Sequence, residues 1–206
     1  MGNPHDPYPA GAGTAEDAHA VRITVHTAED MRELGRRLAA LLLPGDLVLL
    51  TGELGAGKTT LTRGLGEALG VRGAVTSPTF VIARVHPSLT GGPALVHVDA
   101  YRLGGGLDEM EDLDLDVSLP ESVVVVEWGE GKVEDLSDAR LQVVIGRTLG
   151  EERGRAKGGA HGTEGAAAGA DAGPGAEPAE GDDTREVTVI GIGPRWAGQD
   201  LAPLVL

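Results

Sequence analysis

Asp46-Leu47-Val48-Leu49-Leu50-Thr51, followed directly by Gly52-Glu53-Leu54-Gly55-Ala56-Gly57-Lys58-Thr59, decides how this chain folds. The first six residues form a short apolar run that fits a buried parallel strand. The next eight match G-x-x-x-x-G-K-S/T without a departure. A helix is expected from about Lys58 to about Leu69, with Gly70 as its stop. A strand, a Gly-rich turn and a helix in this order make a P-loop. The glycines let backbone N–H groups turn inward around a phosphate chain, and the helix N-terminus adds the positive end of its dipole. Lys58 supplies a point charge to the β- and γ-phosphates, and Thr59 offers its hydroxyl to Mg²⁺. Glu53, Leu54, Gly55, Ala56, Gly57, Lys58, Thr59 and Thr60 are therefore the candidate nucleotide cradle, with ATP and Mg²⁺ as the expected ligands.

Reading outward, Val21–His26 alternates and is rich in β-branched residues, so it reads as a strand. Thr27 opens a capping-box variant with Asp30 three residues on. Met31, Leu34, Leu38, Leu41 and Leu42 follow at helical spacing until Pro44 and Gly45 end the helix. Further strands are expected at Thr79–Val85, Ala94–Asp99, Ser122–Glu127, Arg140–Arg147 and Arg185–Ile192. A short helix is expected near Leu107–Leu113 and another in Pro194–Leu206. The fold class is α/β: a single P-loop NTPase-like domain over 21–206, with a mostly parallel central sheet flanked by helices.

Two stretches stand outside that domain. Residues 1–20 are Pro, Gly and Ala with scattered charge, and read as a disordered arm. Between the last two strands, 148–184 spans 37 residues, of which 19 are Gly or Ala and only Thr148, Thr163 and Thr184 are β-branched. That composition cannot bury a core, so it reads as a disordered insertion rather than a second domain.

The formal net charge is −15, from 17 basic and 32 acidic residues, which argues against a direct, tight grip on RNA or DNA by this chain alone and leaves room for a basic partner protein. The absence of cysteine excludes a disulfide framework, a thiolate metal site and a cysteine nucleophile. No apolar run is long enough to cross a bilayer, and the N-terminus lacks a basic region followed by an apolar one. A cytoplasmic location is the expectation.

A P-loop needs an acid to hold or polarise its metal. Glu127 ends the run Val123-Val124-Val125-Val126, and Asp99 ends Ala94-Leu95-Val96-His97-Val98. The carboxyl ends of parallel strands face the ligand in doubly wound sheets, so either acid can reach the magnesium. Lys58, Asp99 and Glu127 are the candidate catalytic residues. Of the five aromatic residues, Phe80, Tyr101 and Trp128 lie in short segments near these acids. Trp128 adjoins a polar strand end, which favours a surface or ligand-facing role, and it is a candidate nucleotide-binding residue.

The N/T-K-x-D motif of GTPases and the LSGGQ-like signature of ABC ATPases are both missing. The set Gly52–Thr60 (GELGAGKTT), Thr76–Phe80 (TSPTF), His97–Leu103 (HVDAYRL) and Glu127–Glu130 (EWGE), in this order, resembles the TsaE family. The resemblance covers about residues 21–147 and omits the 1–20 arm and the 148–184 insertion. It implies an ATP- and Mg²⁺-binding P-loop protein that hydrolyses ATP slowly alone and faster with TsaB and TsaD. In such a system TsaD transfers the threonylcarbamoyl group to tRNA and the ATPase resets the complex. By matching positions, Thr59 and Glu127 would be metal ligands and Asp99 an acid near the γ-phosphate. Ser77, Pro78 and Thr79 would form a nucleotide-sensing loop, Trp128 would lie beside the site, and the chain around Thr27 would approach the base. The competing expectation is a P-loop kinase acting on a small metabolite, with Asp99 as the base for the acceptor hydroxyl.

Overall fold

A computed structural model describes residues 19–78, 82–102, 119–131, 137–147 and 184–206. The expectations for 1–18, for the helix near 107–113 and for 148–183 fall outside these residues.

The elements, in chain order, are β1 (His19–Val25), α1 (Ala28–Ala39), β2 (Leu47–Gly52), α2 (Lys58–Ala68), β3 (Ala83–His86), β4 (Ala94–Asp99), β5 (Ser122–Glu127), β6 (Arg140–Arg147) and β7 (Arg185–Ile192). The seven strands form one sheet in the order β1-β7-β6-β2-β5-β4-β3. Its centre, β6-β2-β5-β4, is parallel throughout. Both flanks are antiparallel: β7 and β1 on one side, β3 on the other. The sheet is thus a parallel core with antiparallel margins. Its centre matches its sequence: every residue of β5 is buried, as a strand covered on both faces requires.

Alternation along β2 and β5 divides the core into two layers. Val48, Leu50, Val123 and Val125 face α1 and α2, whereas Leu47, Leu49, Val124 and Val126 pack with Val96, Val98 and Ala100 on the opposite face. Among the described residues both α-helices lie on one side of the sheet.

Four differences from the sequence reading have a local reason. β1 starts at His19, inside the expected arm, because His19 and Ala20 pair with Gly191 and Ile190. α1 ends at Ala39, and the chain then tightens through the bonds Leu41 N–H to Leu38 C=O and Leu42 N–H to Ala39 C=O. β3 starts at Ala83, after Ile82 at φ 65°, a left-handed turn that a strand cannot contain; residues 79–81 of the expected strand lie outside the described residues. The expected C-terminal helix is a three-residue 3₁₀ turn, Ala202–Leu204.

The two helices approach closely through paired glycines. A Cβ on Gly35 would lie 2.2 Å from the Leu61 carbonyl oxygen, and one on Gly64 would lie 2.0 Å from that of Arg32. Intrinsic propensity favours Ala over Gly in a helix by about 1 kcal/mol. A clash with backbone costs more, because neither helix can yield without moving its own core side chains. Gly64→Ala is expected to destabilise the protein by about 3 kcal/mol, read as a lowered urea midpoint at unchanged slope. A midpoint equal to the parent's would show that the helices can separate freely.

Arg147 of β6 and Arg185 of β7 are directly opposed in the antiparallel ladder. A tight turn can therefore join the two strands. Replacing 148–184 by a short Gly-containing turn is expected to preserve the thermal unfolding midpoint, since loop-closure entropy changes slowly with length. A collapse of the unfolding transition would show that this segment packs.

Candidate functional site

The site is built where β2, β4 and β5 end side by side. In the ladder Glu127 is opposite both Leu50 of β2 and Asp99 of β4, so both strand-end acids arrive at one edge. Both are buried, at 4% and 5% exposure. α2 leaves the same edge through the P-loop, with Gly57 in a left-handed conformation (φ 111°) and no side chain capping the helix start. Its first N–H groups are thus left to an external acceptor. At Gly52 an added Cβ would lie 2.6 Å from the Ile145 carbonyl oxygen, so the loop can sit this close to β6 only with glycine there. Met31 of α1 packs against Gly57 from outside: a Cβ there would lie 3.2 Å from the Met31 methyl carbon.

Four of the expected site residues come together. The Thr59 hydroxyl donates to Glu127 Oε1 at 3.0 Å. Lys58 Nζ donates to the carbonyl oxygens of Gly52 and Glu53 at 2.7 and 3.0 Å. The same ammonium lies 3.8 Å from the centre of the Trp128 ring, in cation–π contact. Burial pushes the Lys58 ammonium below its ordinary pKa, while the charges of Glu127 and Asp99 pull it back up. The lysine is thus a buried cation facing two buried acids.

Asp99 stands slightly apart from this group. Its Oδ1 accepts from the Tyr101 backbone N–H at 3.1 Å. Glu53, Leu54 and Gly55 form the exposed crest of the loop, Leu54 being 88% exposed. Ala56 is buried beneath the loop, and Thr60 is half-buried in the first turn of α2. Thr27 is engaged in its own helix cap, accepting from Asp30 N–H at 3.0 Å while the Asp30 carboxylate accepts from Thr27 N–H. Ser77 and Pro78 are described, whereas Thr79 and Phe80 are not.

Three features escape a reading of the sequence alone. Trp128 is left-handed (φ 62°), a conformation that costs a bulky residue about 1–3 kcal/mol. Its N–H donates to the Leu50 carbonyl oxygen at 3.3 Å. The turn it makes lays the indole over Lys58, and Tyr101 meets that indole edge-on at 5.5 Å between ring centres. Ile82, also left-handed, accepts from Asp99 N–H and donates to the Pro78 carbonyl oxygen, both at 2.8 Å, tying the Ser77–Pro78 loop to Asp99. His97, fully buried, bonds to Glu127 Oε1 through Nε2 at 2.8 Å. The signal for His97 was present in period two: it stands two residues before Asp99, on the same face of a buried strand.

A cleft of about 620 Å³ opens beside the loop, lined by Thr51, Gly52, Glu53, Leu54, Trp128 and Glu130. That volume suits a small organic ligand. The hydroxyl and carboxylate oxygens of Thr59 and Glu127 are hard donors of the kind Mg²⁺ accepts, and this ion uses few protein oxygens beside phosphates and water. The donor set therefore fits magnesium.

A family model described as "Threonylcarbamoyl adenosine biosynthesis protein TsaE" matches residues 25–155. The chain is 63% identical over 174 residues to the tRNA threonylcarbamoyladenosine biosynthesis protein TsaE of Streptomyces coelicolor, covering 84% of this chain and 99% of that one. It is 42% identical over 126 residues to the protein of the same name from Bacillus subtilis, covering 61% and 77% of the two chains. Among solved structures, the crystal structure titled Bacillus subtilus YdiB superposes with a TM-score of 0.57 at 29% identity, covering 85% of this chain and 88% of that one.

Proposed function

Because this chain belongs to the TsaE family of tRNA threonylcarbamoyladenosine biosynthesis proteins, we propose that it is a Mg²⁺-dependent ATPase serving a cytoplasmic TsaB–TsaD complex. The observation that carries the reading is the convergence of Lys58, Thr59 and Glu127 on one strand-to-helix junction. When bound, Mg²⁺ would offset the negative charge of the β- and γ-phosphate oxygens.

In this reading the N–H groups at the start of α2 bind phosphate oxygens. Lys58 exchanges its carbonyl partners, Gly52 and Glu53, for phosphate and keeps its charge inside a partly dry site. Thr59 and Glu127 present hydroxyl and carboxylate oxygen to the metal. Asp99, one strand over, orients the attacking water or the sensing loop, to which Ile82 already ties it. Trp128 and Tyr101 wall the site against bulk water. The net charge of −15 is consistent with reaching tRNA through partner proteins rather than by direct contact.

Phosphate release without any acceptor, measured with and without purified TsaB–TsaD, tests the proposal. Slow turnover that rises with the partners is expected. Phosphate transfer only when a metabolite acceptor is supplied would instead identify a kinase.

A further inference from the structure

We infer that His97 is a positioning residue for Glu127: its Nε2–H holds Oε1 of the carboxylate, so that Glu127 keeps the orientation in which it shares the magnesium site with Thr59. This rests on the reading of Glu127 as the metal-facing acid and adds a residue to which neither the composition nor the P-loop motif assigns a role.

The contact is short and dry. His97 Nε2 and Glu127 Oε1 are 2.8 Å apart, with the two side chains 0% and 5% exposed. The opposite ring nitrogen, Nδ1, is buried and has no hydrogen-bond partner among the described residues. A carboxylate oxygen can only accept, so the bond requires the proton on Nε2. With the proton on Nε2, Nδ1 is left as an acceptor that no donor among the described residues reaches.

Strand pairing explains why the contact exists. His97 of β4 is opposite Val125 of β5, and Asp99 is opposite Glu127. His97 and Glu127 are thus diagonal neighbours, two residues offset on one face, a separation that long side chains span. Oε1 receives two donors at once, the imidazole N–H at 2.8 Å and the Thr59 hydroxyl at 3.0 Å. One belongs to the sheet and the other to the helix that carries the P-loop. The imidazole donor stays in place if Thr59 turns its oxygen to a metal, because His97 is held by the sheet and not by the loop. A buried carboxylate with Thr59 as its only donor would lose that donor whenever the hydroxyl rotates, and would then be free to swing. Outer-shell donors of this kind commonly set metal affinity by 10–100-fold, roughly the scale expected here.

The test uses the full chain and two readouts. Nitrogen-edited NMR of the imidazole rings, recorded without nucleotide or metal, is expected to place the His97 proton on Nε2 and to shift that signal in Glu127→Gln. A proton on Nδ1 would overturn the inference without any functional assay. Binding of a fluorescent ATP analogue is then titrated with Mg²⁺. His97→Leu is expected to raise the half-saturating Mg²⁺ about 10-fold or more while sparing Mg²⁺-free binding. His97→Gln, whose amide N–H reaches as far as Nε2, is expected to restore most of the loss, and His97→Asn, which is shorter, is not. Thermal unfolding of each variant reports whether it folds, and the Gln variant keeps the test decisive if the Leu variant does not. A folded Gln variant as impaired as Leu or Asn would reduce His97 to packing and overturn the inference. So would wild-type Mg²⁺ dependence in the Leu variant. Wild-type binding that ignores Mg²⁺ would instead remove the underlying reading of Glu127, and the role of His97 with it.

Discussion

Lys58→Ala is expected to lower ATP hydrolysis by about 10²–10³-fold, the cost of losing one preorganised charge partner in a water-poor site, and to weaken nucleotide binding at the same time. The side chain is 5% exposed and its ammonium faces two buried acids. Solvent cannot easily enter to replace the charge, and no other lysine or arginine is described in the loop. Folding should suffer less than function. Among the described residues Lys58 Nζ bonds only to loop carbonyl oxygens and stacks on Trp128, and the core layers beneath contain neither. Isothermal titration with ATP and a phosphate-release assay, beside a thermal unfolding scan, separate these effects. Normal binding and turnover in a folded Lys58→Ala protein would sink the phosphate-cradle assignment.

Glu127→Gln and Asp99→Asn are expected to fail in different ways. Glu127 Oε1 already accepts from the Thr59 hydroxyl, so its carboxylate stands where a metal bound to that hydroxyl would be felt. Removing its charge takes away a contact nearer the ion than any outer-shell partner. The half-saturating Mg²⁺ should rise by about 100-fold, the upper end of what outer-shell losses cost. Asp99 spends one oxygen on the Tyr101 N–H and is linked through its backbone to the Ser77–Pro78 loop. Its neutral variant should bind Mg-ATP normally and turn over about 10²–10⁴-fold more slowly, the range for a lost acid–base group. A fall in turnover without a change in binding is the pattern of an interaction made in the transition state. Titrating Mg²⁺ and ATP against both variants decides the assignment: a raised Mg²⁺ requirement in Asp99→Asn alone would reverse the two roles.

Much of the architecture could be read directly from the residues. β4, β5, β6 and β7 have the bounds expected from their apolar runs, and β2 and α2 flank the P-loop as the motif requires. The two acids were found by their place at the ends of apolar runs, because a parallel strand in a covered sheet directs its carboxyl end towards the ligand edge. What could not be read was pairing. Nothing in Ala83–His86 or Arg185–Ile192 states that these strands run antiparallel to their neighbours, since an apolar run has no inherent direction. The left-handed turns at Ile82 and Trp128 were equally hidden: both residue types disfavour φ > 0, and only the surrounding contacts hold them there.

The amino-acid order alone determined the local units of this protein: the strand–loop–helix around Lys58, the buried character of Val123–Val126, the capping box at Thr27 and the acidic balance. The first three depend on neighbours within a few residues, where spacing and side-chain chemistry suffice, and the charge is a sum over composition. The tertiary structure decided which units meet. It set Glu127 opposite Asp99 and Leu50, gave Glu127 two donors from β4 and α2, and laid Trp128 over Lys58. It also joined α1 to α2 through Gly35 and Gly64. These contacts span tens of residues along the chain. They form only when burial of two apolar layers draws the strands into one sheet, so their geometry belongs to the packed molecule and not to any segment of it.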